Sequence, residues 1–220
     1  PVEVLRTLVD YYGWYDRKTH RYKNIVDTTL VGAMGPPGGG RQPVSPRMLR
    51  HFNFLSMLEM HDSSIAGIYN TIAQNTFQAF SQEVLEQTEP MVTATINIYN
   101  RVRADLLPTP LKSHYLFNLR DVASVIQGVL QCNPRKVRDK NDLIRLWIHE
   151  MRRVIADRFV EQDDLDYFKE LQKTTVSEQF NALYGDIIDP NNELMYCDFL
   201  VPGTEFESRI YEQAPDNAAL

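Results

Sequence analysis

Two arginines one helical turn apart raise the question of whether one of them binds a phosphate. Ser45 and Pro46 are typical of a helix N-cap and first helical position, and they predict a short helix over residues 46–51. Arg47 and Arg50 then lie on one side of it. At a boundary with another subunit or module, Arg50 could stabilise charge on a transferring phosphoryl group. The spacing alone favours a salt bridge from Arg50 to a carboxylate, and both interpretations stay open.

Arg120 is a further candidate for anion binding. Asn118 is a predicted N-cap for a helix over residues 119–130, and Asp121 stands where a capping box needs its reciprocal acid. The helix dipole makes a cation mildly unfavourable in this first turn, but a bound anion would turn Arg120 and the free N–H groups into a joint site. The alternatives are that Arg120 pairs with Asp121 or another acid, or is simply exposed.

The glycine-rich stretch GPPGGGRQP, residues 35–43, invites comparison with a phosphate-binding loop. A P-loop needs G-x-x-x-x-G-K-[ST], and this stretch has neither the lysine nor the hydroxyl. Pro36, Pro37 and Pro43 also remove backbone donors that a phosphate nest requires. The stretch is therefore not a Walker A loop, and a structural turn is the default interpretation.

Other catalytic patterns are missing from the sequence. His149 and Glu150 begin an HExxH zinc motif, but Arg153 occupies the position of the second histidine, so we expect no zinc site. Cys132 and Cys197 are far apart and outside any metal-ligand spacing, which fits a reduced intracellular compartment. No G-x-S-x-G elbow and no paired catalytic carboxylates stand out. The sequence does not indicate a self-contained enzyme.

The composition is that of an ordinary globular chain. Hydrophobic residues make up 43% of the 220 and charged residues 24%, and the formal net charge of −6 argues against a general nucleic-acid binder. No apolar run approaches the ~20 residues of a membrane span, and no signal peptide opens the chain. The sequence begins at Pro1 with no initiator methionine, so we expect a piece of something longer.

The secondary structure that must position these arginines is predicted to change from mixed α/β to all-helical along the chain. The first quarter predicts the end of an α/β layer and the remainder a helical bundle. Gly13 is the predicted C-cap of the first helix. The predicted elements are helices over residues 2–12, 46–51, 62–80, 119–130, 141–159 and 163–173, another helix opened by Pro90, a loop or short hairpin over 14–23, strands over 28–34 and 52–58, and an extended linker from Gly185.

Three stretches together resemble dynein heavy chains, in particular the third AAA+ module of the motor ring in the axonemal branch. They are GWYDRK (residues 13–18), AMGPPGGGRQPVSPRMLRHF (residues 33–52) and LLPTPLKSHYLFNLRDVASVIQGVL (residues 106–130). The resemblance is specific up to about residue 130 and weaker beyond. It implies a fold of α/β plus all-α class: the C-terminal part of an AAA+ P-loop large subdomain (residues 1–60), a helical lid (61–184), and a linker toward the next module (185–220).

The resemblance also implies roles for individual residues. Residues 28–34 would be the sensor-I strand, and Gly35 stands where family members with an active third site usually carry asparagine, which puts hydrolysis there in doubt. Arg50 matches the arginine finger that reaches the nucleotide of the preceding module. Arg120 matches the sensor-II arginine that faces the module's own γ-phosphate. The family's Walker A and Walker B motifs do not occur in this sequence.

The implied function is that of part of an ATP-driven, minus-end-directed microtubule motor of cilia and flagella. The third module regulates such a motor through nucleotide binding and inter-module contacts. The implied cofactor is ATP or ADP with Mg²⁺ in the intact module, whereas we expect the isolated chain to be inactive and to bind ATP weakly or not at all. The implied location is the cytoplasm, the cytoskeleton and the axoneme.

The implied partners are neighbouring AAA+ modules, microtubules through the full motor, and dynein intermediate and light chains, with a coiled coil elsewhere in the heavy chain. No nucleic acid and no membrane are expected as partners. The alternative function is a helical protein-interaction scaffold with no nucleotide role. A P-loop sequence just upstream of Pro1 would distinguish the motor from the scaffold.

Overall fold

The computed structural model describes residues 1–35, 42–188, 194–201, 203, 205 and 208–215. Contacts between residues divide the chain into two units, Pro1–Glu59 and Met60–Leu220, which we call the first and the second unit. The three-part division at residues 60 and 184 stays a prediction. Among the described residues, no helix is both long and apolar enough to cross a membrane.

The first unit has short elements and almost no core. Of its described residues only Gly13 and Met48 are buried. Tyr12, in the left-handed region with φ 53°, ends the first helix, so the prediction that Gly13 is the C-cap is wrong. The described elements are α1 (Val2–Tyr11), β1 (Gly13–Tyr15), β2 (Tyr22–Asn24) and α2 (Pro46–Leu49).

Strands β1 and β2 form an antiparallel hairpin, which confirms the hairpin predicted over residues 14–23. Gly13 has no room for a side chain, because a Cβ atom there would lie 2.3 Å from the Tyr22 hydroxyl. That hydroxyl donates to the Tyr11 carbonyl at 2.7 Å, which ties the hairpin to the end of α1. Asp16 accepts hydrogen bonds from the amides of Lys18 and Thr19 and so closes the turn.

The two strands predicted over residues 28–34 and 52–58 are wrong. Both segments are irregular and largely exposed, with Val31 95% and Leu58 89% accessible to solvent. A strand needs a neighbour for its backbone groups, and the only sheet in the described part of this unit is the β1–β2 hairpin. The apolar composition alone therefore does not make these segments strands.

The second unit is a helical bundle with one continuous hydrophobic core. Helix α5 packs against α3, α6 and α8, and α6 packs against α7. Trp147 of α7 is fully buried, and its indole N–H donates to Thr95 of α5 at 2.9 Å. The described elements are α3 (Asp62–Phe77), α4 (Gln82–Glu86), α5 (Thr88–Asp105), α6 (Leu119–Val129), α7 (Lys140–Val154), a 3₁₀ turn (Ala156–Arg158), α8 (Gln162–Phe180), α9 (Tyr184–Ile187), β3 (Tyr196–Cys197) and β4 (Glu212–Gln213).

Several boundaries in this unit differ from the sequence prediction. Helix α8 is longer than the predicted 163–173, and α3, with His61 as its N-cap, stops at Phe77 instead of residue 80. The short α4 was not predicted. The described residues after Gly185 are not purely extended, because they include part of α9 and the β3–β4 pair, and Leu194, Cys197 and Ala214 are buried.

Candidate functional site

Arg50 is anchored at one side and exposed at the other. It follows α2, which the Ser45–Pro46 pair begins as predicted, although the helix is shorter than expected. Its Nη2 donates to Asp10 Oδ1 at 2.7 Å, and its Nε lies 3.1 Å from His51 Nε2. The side chain is still 62% exposed. The structure thus contains the salt bridge that was one of the two interpretations of the arginine spacing. The guanidinium nevertheless stays accessible to solvent.

Asp10, which partners Arg50, lies near the end of α1 beside a second cation. Arg6 bonds to Asp10 one turn away and to Glu3 at 2.7 Å on the other side. The hydrogen bond from Arg50 is the largest cause that holds the pKa of Asp10 below its ordinary value. Two guanidinium groups and the His51 ring therefore converge on a carboxylate that is only 12% exposed.

Arg120 lies in the first turn of α6 with its side chain exposed. The Asn118 side chain accepts from the Arg120 amide at 2.8 Å, and Asp121 accepts from the Asn118 amide at 2.8 Å, so the predicted capping box is present. Asp121 also bonds to Arg158. Among the described residues the guanidinium of Arg120 has no hydrogen-bond or ion-pair partner, and Asp121, the acid next to it in sequence, pairs with Arg158 instead.

Arg158 fixes the start of α6 from the neighbouring 3₁₀ turn. Its guanidinium carbon lies 5.4 Å from the centre of the Phe117 ring, and its carbonyl oxygen lies 2.8 Å from His114 Nε2. Asp121 is only 5% exposed, so its charge is neutralised inside the protein rather than by solvent. Asp121 and Arg158 therefore neutralise each other, and the charge of Arg120 at this helix N-terminus is left uncompensated among the described residues.

Gly35 is half-buried and follows the irregular segment 28–34 rather than a strand. Most of the glycine-rich loop, residues 36–41, lies outside the described residues. Its interpretation as a turn stays a prediction. Gly35 has no side chain with which to orient a water molecule or a phosphate.

A shallow cleft of about 200 Å³ opens beside His51 in the first unit. Apart from His51, its lining is apolar or uncharged, and it includes neither Arg50 nor Asp10. It does not have the chemistry of a phosphate site. The lining residues are Leu8, Val9, Tyr12, Ile25, Thr28, Thr29, Leu30, His51 and Phe52.

The HExxH-like stretch contains an ion pair in which the carboxylate is buried and the arginine is half exposed. Glu150 is fully buried, and its Oε2 accepts from Arg153 Nε at 2.9 Å and from Nη2 at 2.6 Å. Tyr211, in the C-terminal part of the second unit, donates its hydroxyl to Glu150 Oε1. Burial lowers the pKa of His149, whose Nδ1 lies 3.3 Å from the Leu194 carbonyl. No group of residues suited to hold a metal is present in the described ranges.

Three residues around the candidate arginines were not predicted from the sequence: Asp10 and His51, which bond to Arg50, and Arg158, which bonds to Asp121 beside Arg120. The spacing of Glu3, Arg6 and Asp10 at i, i+3 and i+7 does indicate an ion-pair face on α1. It contains no information that Arg50, 40 residues further along, joins that face. Such long-range partners appear only once the chain is folded.

Comparison with protein families gives two matches in different parts of the chain. A family described as the AAA+ lid domain matches residues 91–190. A family described as the P-loop containing dynein motor region matches residues 1–60. The first match covers most of the helical bundle and includes Arg120, whereas the second covers the first unit and includes Arg50.

Curated relatives align along nearly the whole chain. It is 43% identical over 221 residues to dynein axonemal heavy chain 1 of Mus musculus, covering 94% of this chain and 5% of the relative. It is 39% identical over 220 residues to dynein axonemal heavy chain 6 of Homo sapiens, covering 98% of this chain and 5% of the relative. It is 40% identical over 232 residues to dynein axonemal heavy chain 3 of Mus musculus, covering 100% and 6%. The chain thus spans about a twentieth of the length of these relatives.

Proposed function

Because this chain belongs to the dynein heavy chain family, matching the dynein motor region in its first unit and an AAA+ lid in its second, we propose that it is part of one module of an axonemal dynein motor ring, the end of the large subdomain followed by the lid. The full motor is an ATP-driven, minus-end-directed microtubule motor of cilia and flagella. Because its motifs resemble those of the third module, we assign the chain to the third position in the ring. Its role there is to regulate the motor through nucleotide binding and contacts with neighbouring modules.

The observation that carries this proposal is the unpartnered Arg120 at the start of α6. Asp121, the nearest acid in sequence, is committed to the capping box and to Arg158. An exposed guanidinium next to a helix N-terminus is a suitable partner for an anion, since both donate to the same charge. We assign Arg120 the sensor-II role, in which it binds the γ-phosphate of this module's own nucleotide.

Arg50 takes the arginine-finger role toward the nucleotide of the preceding module. Its exposed guanidinium supports this assignment, because a residue that acts across a boundary must be reachable from outside. Gly35 occupies the sensor-I position without a polar side chain. Hydrolysis at this module's own site is therefore slow or absent, whereas nucleotide binding, ATP or ADP with Mg²⁺, is retained.

The exposed apolar side chains of the first unit support its assignment to a larger α/β subdomain. A soluble monomer rarely exposes so much apolar surface, and we propose that the P-loop part of the same module covers it. Neighbouring modules, microtubules, and intermediate and light chains are the partners of the whole motor, which is located in the axoneme. The exposed residues include Val4, Leu5, Val31, Met34, Leu55, Met57 and Leu58.

The test uses a full-length heavy chain with its other nucleotide sites disabled at their P-loop lysines. Arg120→Ala should speed dissociation of a fluorescent ATP analogue from the third site by about 10- to 100-fold, the value of a charged hydrogen bond. Dissociation of the ADP analogue should hardly change, because ADP lacks the γ-phosphate. In a heavy chain with all of its sites intact, Arg120→Ala should weaken the response of microtubule release to the nucleotide at the third site.

Arg135→Ala is the matched control, because Arg135 is also exposed in the second unit, and we expect no change. Arg50→Ala should instead speed dissociation of the ATP analogue from the second site, measured in a heavy chain in which only that site is left intact, with Arg47→Ala on the same short helix as its control. If Arg120→Ala and Arg50→Ala both leave nucleotide dissociation and microtubule release unchanged, the motor assignment of these residues fails and the scaffold alternative gains.

A further inference from the structure

Arg50 has more hydrogen-bond partners than its proposed role as an arginine finger requires. A finger requires one exposed guanidinium, yet two of the three Arg50 nitrogens are already engaged, Nη2 by Asp10 at 2.7 Å and Nε by His51 at 3.1 Å. Nη1 has no bonding partner among the described residues. The side chain is therefore held from one side while a nitrogen faces outward, as anchoring for an external anion would require.

The Asp10 carboxylate is itself held in place by hydrogen bonds. Its carboxylate is 12% exposed, and Arg6, one turn earlier on α1, bonds to its Oδ2. Arg6 is in turn held by Glu3 at 2.7 Å. Since Oδ2 is occupied in this way, Oδ1 is the oxygen presented to Arg50. A charged bond between a guanidinium and an immobile carboxylate restricts the arginine more than solvent-exposed pairing does.

His51 alone cannot hold the Arg50 guanidinium in the way that Asp10 does. Its Nε2 lies 2.8 Å from Asp10 Oδ1 and 3.1 Å from Arg50 Nε. One ring nitrogen either carries a hydrogen and donates to Asp10, or lacks it and accepts from Arg50, but it does not do both. The bond between Arg50 Nη2 and Asp10 is compatible with both states of the ring. Asp10 is thus the constant partner and His51 the variable one.

We propose that Asp10 is a positioning residue, which holds the Arg50 guanidinium in the orientation that meets the γ-phosphate of the neighbouring nucleotide. This inference rests on the finger role of Arg50. It predicts that Asp10 contributes to nucleotide binding only through Arg50. A small misplacement of such a group is enough to weaken its effect on the ligand considerably.

The experiment is a double-mutant cycle in the full-length heavy chain with only the second nucleotide site left intact. Asp10→Asn keeps the shape of the side chain and removes its charge. We expect it to speed dissociation of a fluorescent ATP analogue by about tenfold and to leave the ADP analogue unaffected. In the Arg50→Ala background, Asp10→Asn should add nothing. Asp10→Glu, which restores the charge, should recover part of the effect.

Asp27→Asn is the matched control, because it makes the same exchange at an exposed carboxylate of the first unit that has no hydrogen bond or ion pair with Arg50 among the described residues, and nucleotide dissociation should not change. Equal effects of Asp10→Asn with and without Arg50, or equal effects on ATP and ADP, would show a merely structural role and overturn the inference. If Arg50→Ala is silent, the finger role itself is overturned, which is a different result.

Discussion

Gly128 of α6 lies directly against the buried carboxylate of Glu150. A Cβ atom at this position would lie 1.9 Å from Glu150 Oε2, far inside van der Waals contact. The carboxylate has little freedom to move away, because Arg153 and Tyr211 bond to it. The absence of a side chain at residue 128 is therefore a requirement of the ion pair on α7.

We expect Gly128→Ala to destabilise this chain by about 1–3 kcal/mol, the usual cost of overpacking a core. Urea denaturation of the 220-residue chain measures it. Gly67→Ala is the matched control, because nothing lies within 4 Å of a Cβ at that position of α3. The control should gain about 0.5–1 kcal/mol through helix propensity. Equal changes in both variants would contradict the packing argument.

At the scale of elements, the β1–β2 hairpin depends on Asp16. The hydrogen bond from Lys23 is the largest cause that lowers the pKa of Asp16 from 3.8 to about 2, and the amides of Thr19 and Lys18 add to it. Because the folded pKa lies below the ordinary one, Asp16 stabilises the hairpin above about pH 4. This contribution is lost as the pH falls through about 2.

We therefore expect amide exchange in Tyr22–Asn24, corrected for its intrinsic pH dependence, to lose protection between about pH 4 and pH 2, as followed by NMR. Asp16→Asn should show reduced protection already at pH 6 and little further change on acidification. An unaltered pH profile in that variant would show that other carboxylates control the hairpin.

Elements with strong local signals could be predicted from the sequence. One such signal is the helical spacing of Leu143, Trp147 and Met151, all of which are buried in α7, and another is the capping box of α6, which is confirmed. Both signals are local, since a period of 3.6 residues and a cap are decided within a few turns. In α3 the helical spacing of apolar residues is less informative, because Ile68 and Ile72 share this spacing with the buried Ile65 and are about half exposed.

The errors concern features that depend on distant partners. An apolar run indicates a tendency to be buried, but whether it becomes a strand depends on a neighbouring strand, which residues 28–34 and 52–58 do not find in the described structure. The same dependence on distant partners limits what the sequence predicts about the candidate site. Arg50 and Arg120 were identified from the sequence, whereas Asp10 and Arg158, their surroundings, were not.

At the scale of the whole molecule, the two units should differ in local stability. The second unit buries a continuous core around Trp147, and the first buries only Gly13 and Met48 among its described residues. Local opening is easiest where few apolar contacts are lost. We expect residues 1–59 of the isolated chain to exchange their amide hydrogens much faster than α5 and α7.

Hydrogen exchange with mass spectrometry, on this chain and on a full-length heavy chain, measures this difference. If the P-loop part of the module covers the first unit, residues 1–59 should exchange at least about tenfold more slowly in the full-length protein, since their opening would then break tertiary contacts. The interior of α7 serves as an internal reference and should hardly change. Equal exchange of residues 1–59 in both proteins would contradict the proposed covering.

The contact between Gly128 and Glu150 also restricts how this sequence can diverge. A relative that gains a side chain at position 128 must shorten residue 150 to make room, and the hydroxyl of Tyr211 then loses its acceptor. Positions 128, 150 and 211, on α6, α7 and the C-terminal segment, should therefore change together rather than singly. An exchange at one of them predicts exchanges at the other two, although 83 residues separate the first from the last.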